Sequence, residues 1–386
     1  MSTLKPLRLL LPAFTVIRTA LNTLHRMAYP FLGVFARGLG VKVETMAGLV
    51  ANRALISAFV PLVFPLIEPR GRKFGMLLGM FTFLFGVSLV VFWPTFPSLA
   101  AAFILATIGK YIFDPSMQAW LSDRVPYERR GLTIALTEIG WSAAFIVGVP
   151  LVGFLLARWG WLSPFPLFAI LALFSILLLT LSLPPEKSES RRTGGFFTNF
   201  RSVLTSPVAL TGLSIGLFAS AANEVVNLMF GIWLEDSFAL KLAALGAASA
   251  VIGVSELAAE LLVAGFADRL GKARAIALGL LANIVVALSL PWVGRTTAGA
   301  LTGLFLFYLT FEFMLVSDIP LMTELQPGGR ATLMAFNTAG ISLGRAMGAV
   351  LAPLLYNISF ISVACGAGIF NLLALLAVLK LRKTIR

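Results

Sequence analysis

Charge is scarce in this chain, and the residues that build cofactor sites are nearly missing. Asp, Glu, Lys and Arg make up 12% of its 386 residues, about half of the ~25% typical of soluble domains. The single cysteine, Cys365, has no partner for an intrachain disulfide. With one histidine, His25, beside it, no Cys/His cluster can hold zinc, haem or an iron–sulfur centre. The sequence contains no H-E-x-x-H and no G-x-x-x-x-G-K-[ST], and its two G-x-S-x-G matches, Gly212–Gly216 and Gly340–Gly344, lie within long apolar runs and not at the strand-to-helix turn that a nucleophile elbow needs. Hydrolysis, zinc proteolysis and ATP-driven pumping by this chain alone are therefore excluded. Neither a cofactor nor a metal is expected, and the chain does not read as an enzyme.

What is present is hydrocarbon. Hydrophobic residues account for 59% of the chain and the mean hydropathy is +0.94. The 34 glycines and 20 prolines would disrupt a soluble helical core, but membrane helices tolerate both because neighbouring helices satisfy the freed backbone groups. Apolar stretches long enough to cross about 30 Å of hydrocarbon recur at about 10–36, 46–67, 75–93, 97–121, 131–157 and 161–183. After a charged break, Pro184 to Arg192, six more follow at about 207–234, 243–266, 273–292, 297–322, 331–356 and 358–380. We number these spans 1 to 12. Span 1 is too long for a cleavable signal and is interrupted by Arg18, His25 and Arg26.

The net charge of +13 takes its meaning from its position. Of the 30 Lys and Arg residues, 20 fall in the even-numbered gaps and both tails, taken with adjoining helix ends, and five in the odd-numbered gaps. The positive-inside rule therefore expects both termini in the cytoplasm of a bacterial-type inner membrane. The excess is topology signal and attraction to anionic membrane lipid, not nucleic-acid binding.

The chain repeats at an offset of 200 residues. Glu68-Pro69-Arg70-Gly71-Arg72-Lys73, between spans 2 and 3, aligns with Asp268-Arg269-Leu270-Gly271-Lys272-Ala273, between spans 8 and 9. Arg130 aligns with Arg330, Gly140 with Gly340 and Gly148 with Gly348. The loops Asp123-Arg124-Val125-Pro126 and Glu324-Leu325-Gln326-Pro327 match at an offset one residue longer. Parallel six-helix repeats place a binding site near mid-membrane.

These paired loops resemble the signatures of the major facilitator superfamily, the twelve-helix secondary transporters, whose loop motif is written G-x-x-x-D-R-x-G-R-[KR]. Span 5, with Ala144, Gly148, Pro150 and Gly153, also resembles the family's antiporter signature. The resemblance implies an all-α membrane fold of two pseudo-symmetric six-helix bundles. They would cover residues 1–183 and 207–386 and be joined by a cytoplasmic linker at 184–206. It further implies secondary transport by alternating access, with small-molecule or amphiphilic substrates, protons and lipid as partners and a monomer as the working unit. Glu68, Arg72, Asp123, Arg130, Asp268, Arg269, Lys272 and Arg330 would form a cytoplasmic gate, and Glu260 would join it.

Within the spans, an ionisable group costs at least about 2.5–3.5 kcal/mol on insertion scales, so each should face a cavity or a partner. Arg18, Asn22, His25 and Tyr29 recur at intervals of four, three and four, on one helical face. Arg26 and Arg53 could approach each other, and Thr107, Lys110, Asp114 and Gln118 align on span 4. With Glu138 and Trp141, a stacking platform for a cation or ring, these residues form a basic lining in the first half. Lys110 and Asp114 at i, i+4 also fit a pair that neutralises itself. The second half is acidic. Glu224, Glu256 and Glu312 are the proton-coupling candidates, and Glu256 and Glu260 share a face. Asn227, Asn337 and Arg345 complete the substrate-binding set. The glycine rows Gly140-Ala144-Gly148 and Gly340-Gly344-Gly348 fit either plain packing or a sliding seam.

The resulting expectation is a proton-coupled exporter of an amphiphilic organic solute. A translocase for lipids or lipid-linked headgroups on the same fold, and a non-transporting membrane sensor or assembly protein, fit the same residues.

Overall fold

The structure is a computed structural model that describes residues 4–67, 70–184, 200–325 and 330–385. Of residues 4–9, 61–67, 127–132, 135, 267–268, 330–331 and 384–385 it describes the backbone alone. Among the described residues all regular structure is helical. The helices are α1 (Leu4–Arg26), α2 (Leu32–Leu39), α3 (Val43–Ile67), α4 (Arg72–Phe92), α5 (Phe96–Arg124), α6 (Tyr127–Ala143), α7 (Val149–Trp159) and α8 (Pro164–Ser182). They continue as α9 (Phe200–Thr205), α10 (Pro207–Phe238), α11 (Leu242–Leu270), α12 (Lys272–Val293), α13 (Thr297–Leu325), α14 (Arg330–Tyr356) and α15 (Phe360–Ile385). Eleven runs within them are long and apolar enough to cross a membrane. Span 1 is not counted among them, since α1 is fully described only over residues 10–26.

Two spans depart from a plain helix. Span 1 breaks into α1 and α2 around Pro30, which has no N–H to donate. Tyr29 therefore sits in the turn, where its backbone N–H donates to the Arg26 carbonyl at 3.2 Å, and the helical face ends at His25. In span 5 a π turn, Ala144–Gly148, joins α6 to α7. Pro150 removes the N–H that would have bonded to the Ile146 carbonyl, and a wide turn accommodates the gap.

The chain forms two compact units, and neither is a single contiguous segment. Unit 1 comprises residues 1–41, 60–191 and 241–253; unit 2 comprises 42–59, 192–240 and 254–386. The first turns of α3 thus belong with unit 2, and those of α11 with unit 1.

In unit 1, α4 and α5 meet backbone to backbone. A Cβ on Gly79 would lie 2.6 Å from the Gly109 carbonyl oxygen, and one on Gly109 2.5 Å from that of Gly79. Edge-on ring pairs, Phe83 with Phe168 and Phe35 with both Phe103 and Phe165, fill the core around them. The unit 2 core runs through Ile215, Ile276, Leu280, Phe311 and Met314. The outer faces are apolar too: Phe81, Phe174 and Val285 are more than half exposed, as expected of surface that meets lipid.

The glycine rows pack within the units. Gly140 lies against Thr15 and Arg18 of α1, and Gly148 against Thr23. Gly340, Gly344 and Gly348 lie against the backbone of α10 at Leu213, Leu217 and Ala221. A Cβ on Gly344 would stand 2.0 Å from the Leu217 carbonyl oxygen. Gly344→Ala should therefore force α14 away from α10 and destabilise unit 2 by about 1–3 kcal/mol. An unchanged unfolding temperature in detergent would show that α14 retreats without loss.

Candidate functional site

In unit 1 the close approach of α1 to α6 at Gly140 sets the charges. Arg18 is buried, 4% exposed, and its Nε donates to Asp114 Oδ1 at 3.1 Å. Its two terminal nitrogens grip Glu138 in a fork, Nη1 to Oε1 at 2.7 Å and Nη2 to Oε2 at 2.9 Å. Lys110 Nζ donates to Asp114 Oδ2 at 2.5 Å, and Gln118 Nε2 to Glu138 Oε1 at 2.9 Å. Two cations and two carboxylates from three helices make a cluster with no net charge, which is how a buried ion group offsets its desolvation.

A second group forms one turn further along. Arg26 lies with its guanidinium carbon 3.6 Å from the Phe145 ring centroid and 4.2 Å from that of Trp141. Its Nη1 donates to the Trp141 carbonyl at 3.2 Å. Lys110 Nζ stands 5.6 Å from the same indole, and the His25 ring centroid is 6.4 Å from it. Trp141 thus serves as a platform for the chain's own cations. Asn22 donates from Nδ2 to the Gly140 carbonyl at 3.2 Å, and Tyr29 is buried in the turn beyond.

Unit 2 buries several acids within its helices. Glu224, midway along α10, is fully buried. Asn227 Nδ2 donates to its Oε2 at 3.4 Å, and Tyr308 of α13 donates its hydroxyl to Asn227 Oδ1 at 2.5 Å. Asn337 on α14 donates to Asp318 Oδ2 at 3.5 Å. Glu256 and Glu312 are buried, 3% and 8% exposed, Glu260 is half-buried, and Arg345 is half-buried on α14. Arg53 of α3 is buried as well, 2% exposed.

The loop residues of the two repeats pair in register. Arg72 meets Asp123 at 3.6 Å in unit 1, and in unit 2 Lys272 meets Glu324. Arg269 is exposed at the end of α11. Glu68 and the side chains of Arg130, Asp268 and Arg330 lie outside the described residues.

The family model described as Major Facilitator Superfamily matches residues 15–326. The chain belongs to the major facilitator superfamily. It is similar to the uncharacterized MFS-type transporter YceJ of Bacillus subtilis, 23% identical over 85% of this chain and 84% of that one. To the inner membrane transport protein YdhP of Escherichia coli K12 it is 25% identical, over 91% and 90%. To multidrug resistance protein 2 of B. subtilis it is 22% identical, over 86% and 84%. Among solved structures, a bacterial homologue of the lysosomal transporter Spinster superposes with a TM-score of 0.79 at 15% identity, covering 98% of both chains. A POT family transporter gives 0.77 at 13% identity, over 97% and 96%. The chain is thus a multi-pass membrane transporter of this superfamily, with the all-helical fold its paired loops imply, and it is not an enzyme.

Four side chains in these groups were not among the candidate site residues: Thr137, which accepts from Arg18 Nη1 at 3.5 Å, Phe145, Tyr308 and Glu324. Thr137, Phe145 and Tyr308 carry no spacing signal, being an ordinary threonine and two aromatics among 32 Phe and 5 Tyr. Glu324 did carry one, since it stands at the repeat offset from Asp123.

Proposed function

We propose that this chain is a proton-coupled exporter of an amphiphilic organic solute. It would work as a monomer by alternating access in a bacterial-type inner membrane, with both termini in the cytoplasm. The observation that carries this reading is Glu224, a carboxylate wholly withdrawn from water at the midpoint of a membrane-spanning helix and backed by the Asn227–Tyr308 chain. A carboxylate buried in mid-helix with hydrogen-bonding neighbours suits a group that takes up and releases a proton. Glu256 and Glu312 are the further candidates.

The aromatic platform of Trp141 and Phe145, with Arg26 over it and His25 and Asn22 beside it, supplies rings and polar atoms for an amphiphile. Arg53, Asn227, Asn337 and Arg345 are the corresponding unit 2 side chains. The name of one relative, multidrug resistance protein 2, is in keeping with an organic solute. The segments 1–183 and 207–386 would move as the two bundles, with 184–206 as slack. The Arg72–Asp123 and Lys272–Glu324 pairs, with Glu68, Arg130, Glu260, Asp268, Arg269 and Arg330, would latch the cytoplasmic face.

Vesicles carrying the purified protein test the coupling. A gradient acid on the non-cytoplasmic side should accelerate export of a fluorescent amphiphile, and a protonophore should remove the acceleration. Transport indifferent to both would take the proton out of the mechanism.

A further inference from the structure

Glycines inside these helices mostly mark places where another backbone leaves no room for a side chain, as at Gly79, Gly109 and Gly344. Gly48 does not. It lies in the second turn of α3 without a positive φ, and a Cβ built on it would meet nothing within 4 Å. Neither packing nor backbone conformation requires glycine there, although glycine is the poorest ordinary helix former after proline.

The open space is the floor of a groove of about 520 Å³ in unit 2. Ala51, Asn52 and Leu55 line it at intervals of three and four from Gly48, so one face of α3 forms one wall. Ala346 and Val350 belong to the other wall, on α14. Both helices cross the membrane, and Leu55 and Val350 are 40% and 53% exposed, so the groove opens sideways onto hydrocarbon. Asn52 is an exposed amide in this apolar lining. A volume of this size lies within the ~300–1,000 Å³ of small-molecule sites.

We propose that this groove binds the hydrocarbon tail of a single-chain amphiphile that reaches the transporter from the bilayer, its polar head lying at Asn52. The occupant is the transported solute, not a resident lipid, and the glycine keeps the floor clear for its tail. The inference rests on the reading of the solute as amphiphilic and does not depend on proton coupling.

The probe is dodecanoic acid carrying a diazirine at its tail, photolysed with the full-length protein in nanodiscs and mapped by peptide sequencing. Label should concentrate on residues 48–55 and 343–351 and be displaced by unlabelled dodecanoic acid. Gly48→Phe, whose Cβ would meet nothing within 4 Å and whose ring would occupy the floor, should reduce that label about fivefold or more, the loss expected when several tail atoms lose their contacts. Its unfolding temperature should stay at the wild-type value. Val350→Trp, on the opposite wall, should act in the same direction. Flux of dodecanoate through proteoliposomes should fall together with the label.

Label spread evenly over lipid-facing residues such as Phe81 and Phe174 and not displaced by competitor would overturn the proposal. So would label or flux unaffected by Gly48→Phe. Failure of the exporter reading would look different: no amphiphile would move under either pH gradient, while the displaceable label on α3 and α14 persisted.

Discussion

Glu224→Gln is expected to abolish accumulation driven by a pH gradient, to the level of vesicles without protein, while exchange of substrate for substrate continues. Glutamine has nearly the shape of the protonated acid and keeps an oxygen to accept from Asn227, so the α10–α13 contact through Tyr308 survives. What it loses is the ability to change charge. The exporter reading has this group change charge in step with the opening of its site. Fixing the neutral form removes that dependence and, with it, the link between proton and solute. Gradient-driven accumulation at the wild-type rate would remove Glu224 from the mechanism. The same measurement on Glu256→Gln and Glu312→Gln would then decide whether either acid replaces it.

Arg18→Met should be the most destabilising single change in unit 1, by about 3–5 kcal/mol, the usual result of removing one partner from a buried ionic group. The larger share should come from Asp114, whose side chain is 12% exposed and would be left with Lys110 alone. Glu138 contributes less, because its side chain is 39% exposed and water screens it. Lysine at position 18 should recover only part of the loss, since an ammonium cannot reproduce the fork on Glu138. The check is thermal unfolding in detergent, with Asp114→Asn added to Arg18→Met as a double-mutant cycle. The pair should couple by about 1–3 kcal/mol. Additive losses, or an Arg18→Met protein as stable as wild type, would show that the cluster is not the structural keystone proposed here. An arginine already gripped by two carboxylates is also a poor receptor for a free anion, so any effect on substrate affinity should be smaller than the effect on stability.

The spans were legible because a run of some twenty apolar residues has few other uses, and the repeat because each loop keeps an acid and a base in both copies, Glu68 and Arg72 against Asp268 and Lys272, Asp123 and Arg130 against Glu324 and Arg330. The Lys110–Asp114 pair could be read from spacing alone, being four residues apart on one helix. Arg18 and Glu138 lie 120 residues apart, and nothing in either neighbourhood announces the other. Their meeting follows from Gly140, which lets α1 approach the α6 backbone. Trp141 was recognisable as a platform, but that its rings' neighbour would be Arg26 of the same chain depends on α1 ending at the Pro30 turn. Tyr308 was invisible for a different reason: its hydroxyl acquires meaning only from Asn227, on a helix some eighty residues earlier. The exchange of residues 42–59 and 241–253 between the compact units has no sequence signal, since hydropathy reports how long a helix is and not what lies beside it.

The solitary Cys365 is exposed on α15, a few residues from the loop that follows α14. The chain therefore comes with one native handle for thiol chemistry. A maleimide dye or spin label can be attached there without first engineering other cysteines away. Its emission or accessibility to quenchers would report how deep that helix sits in the bilayer. One cysteine introduced in unit 1 would complete a donor–acceptor pair, turning an incidental residue into a ruler for movement between units during turnover.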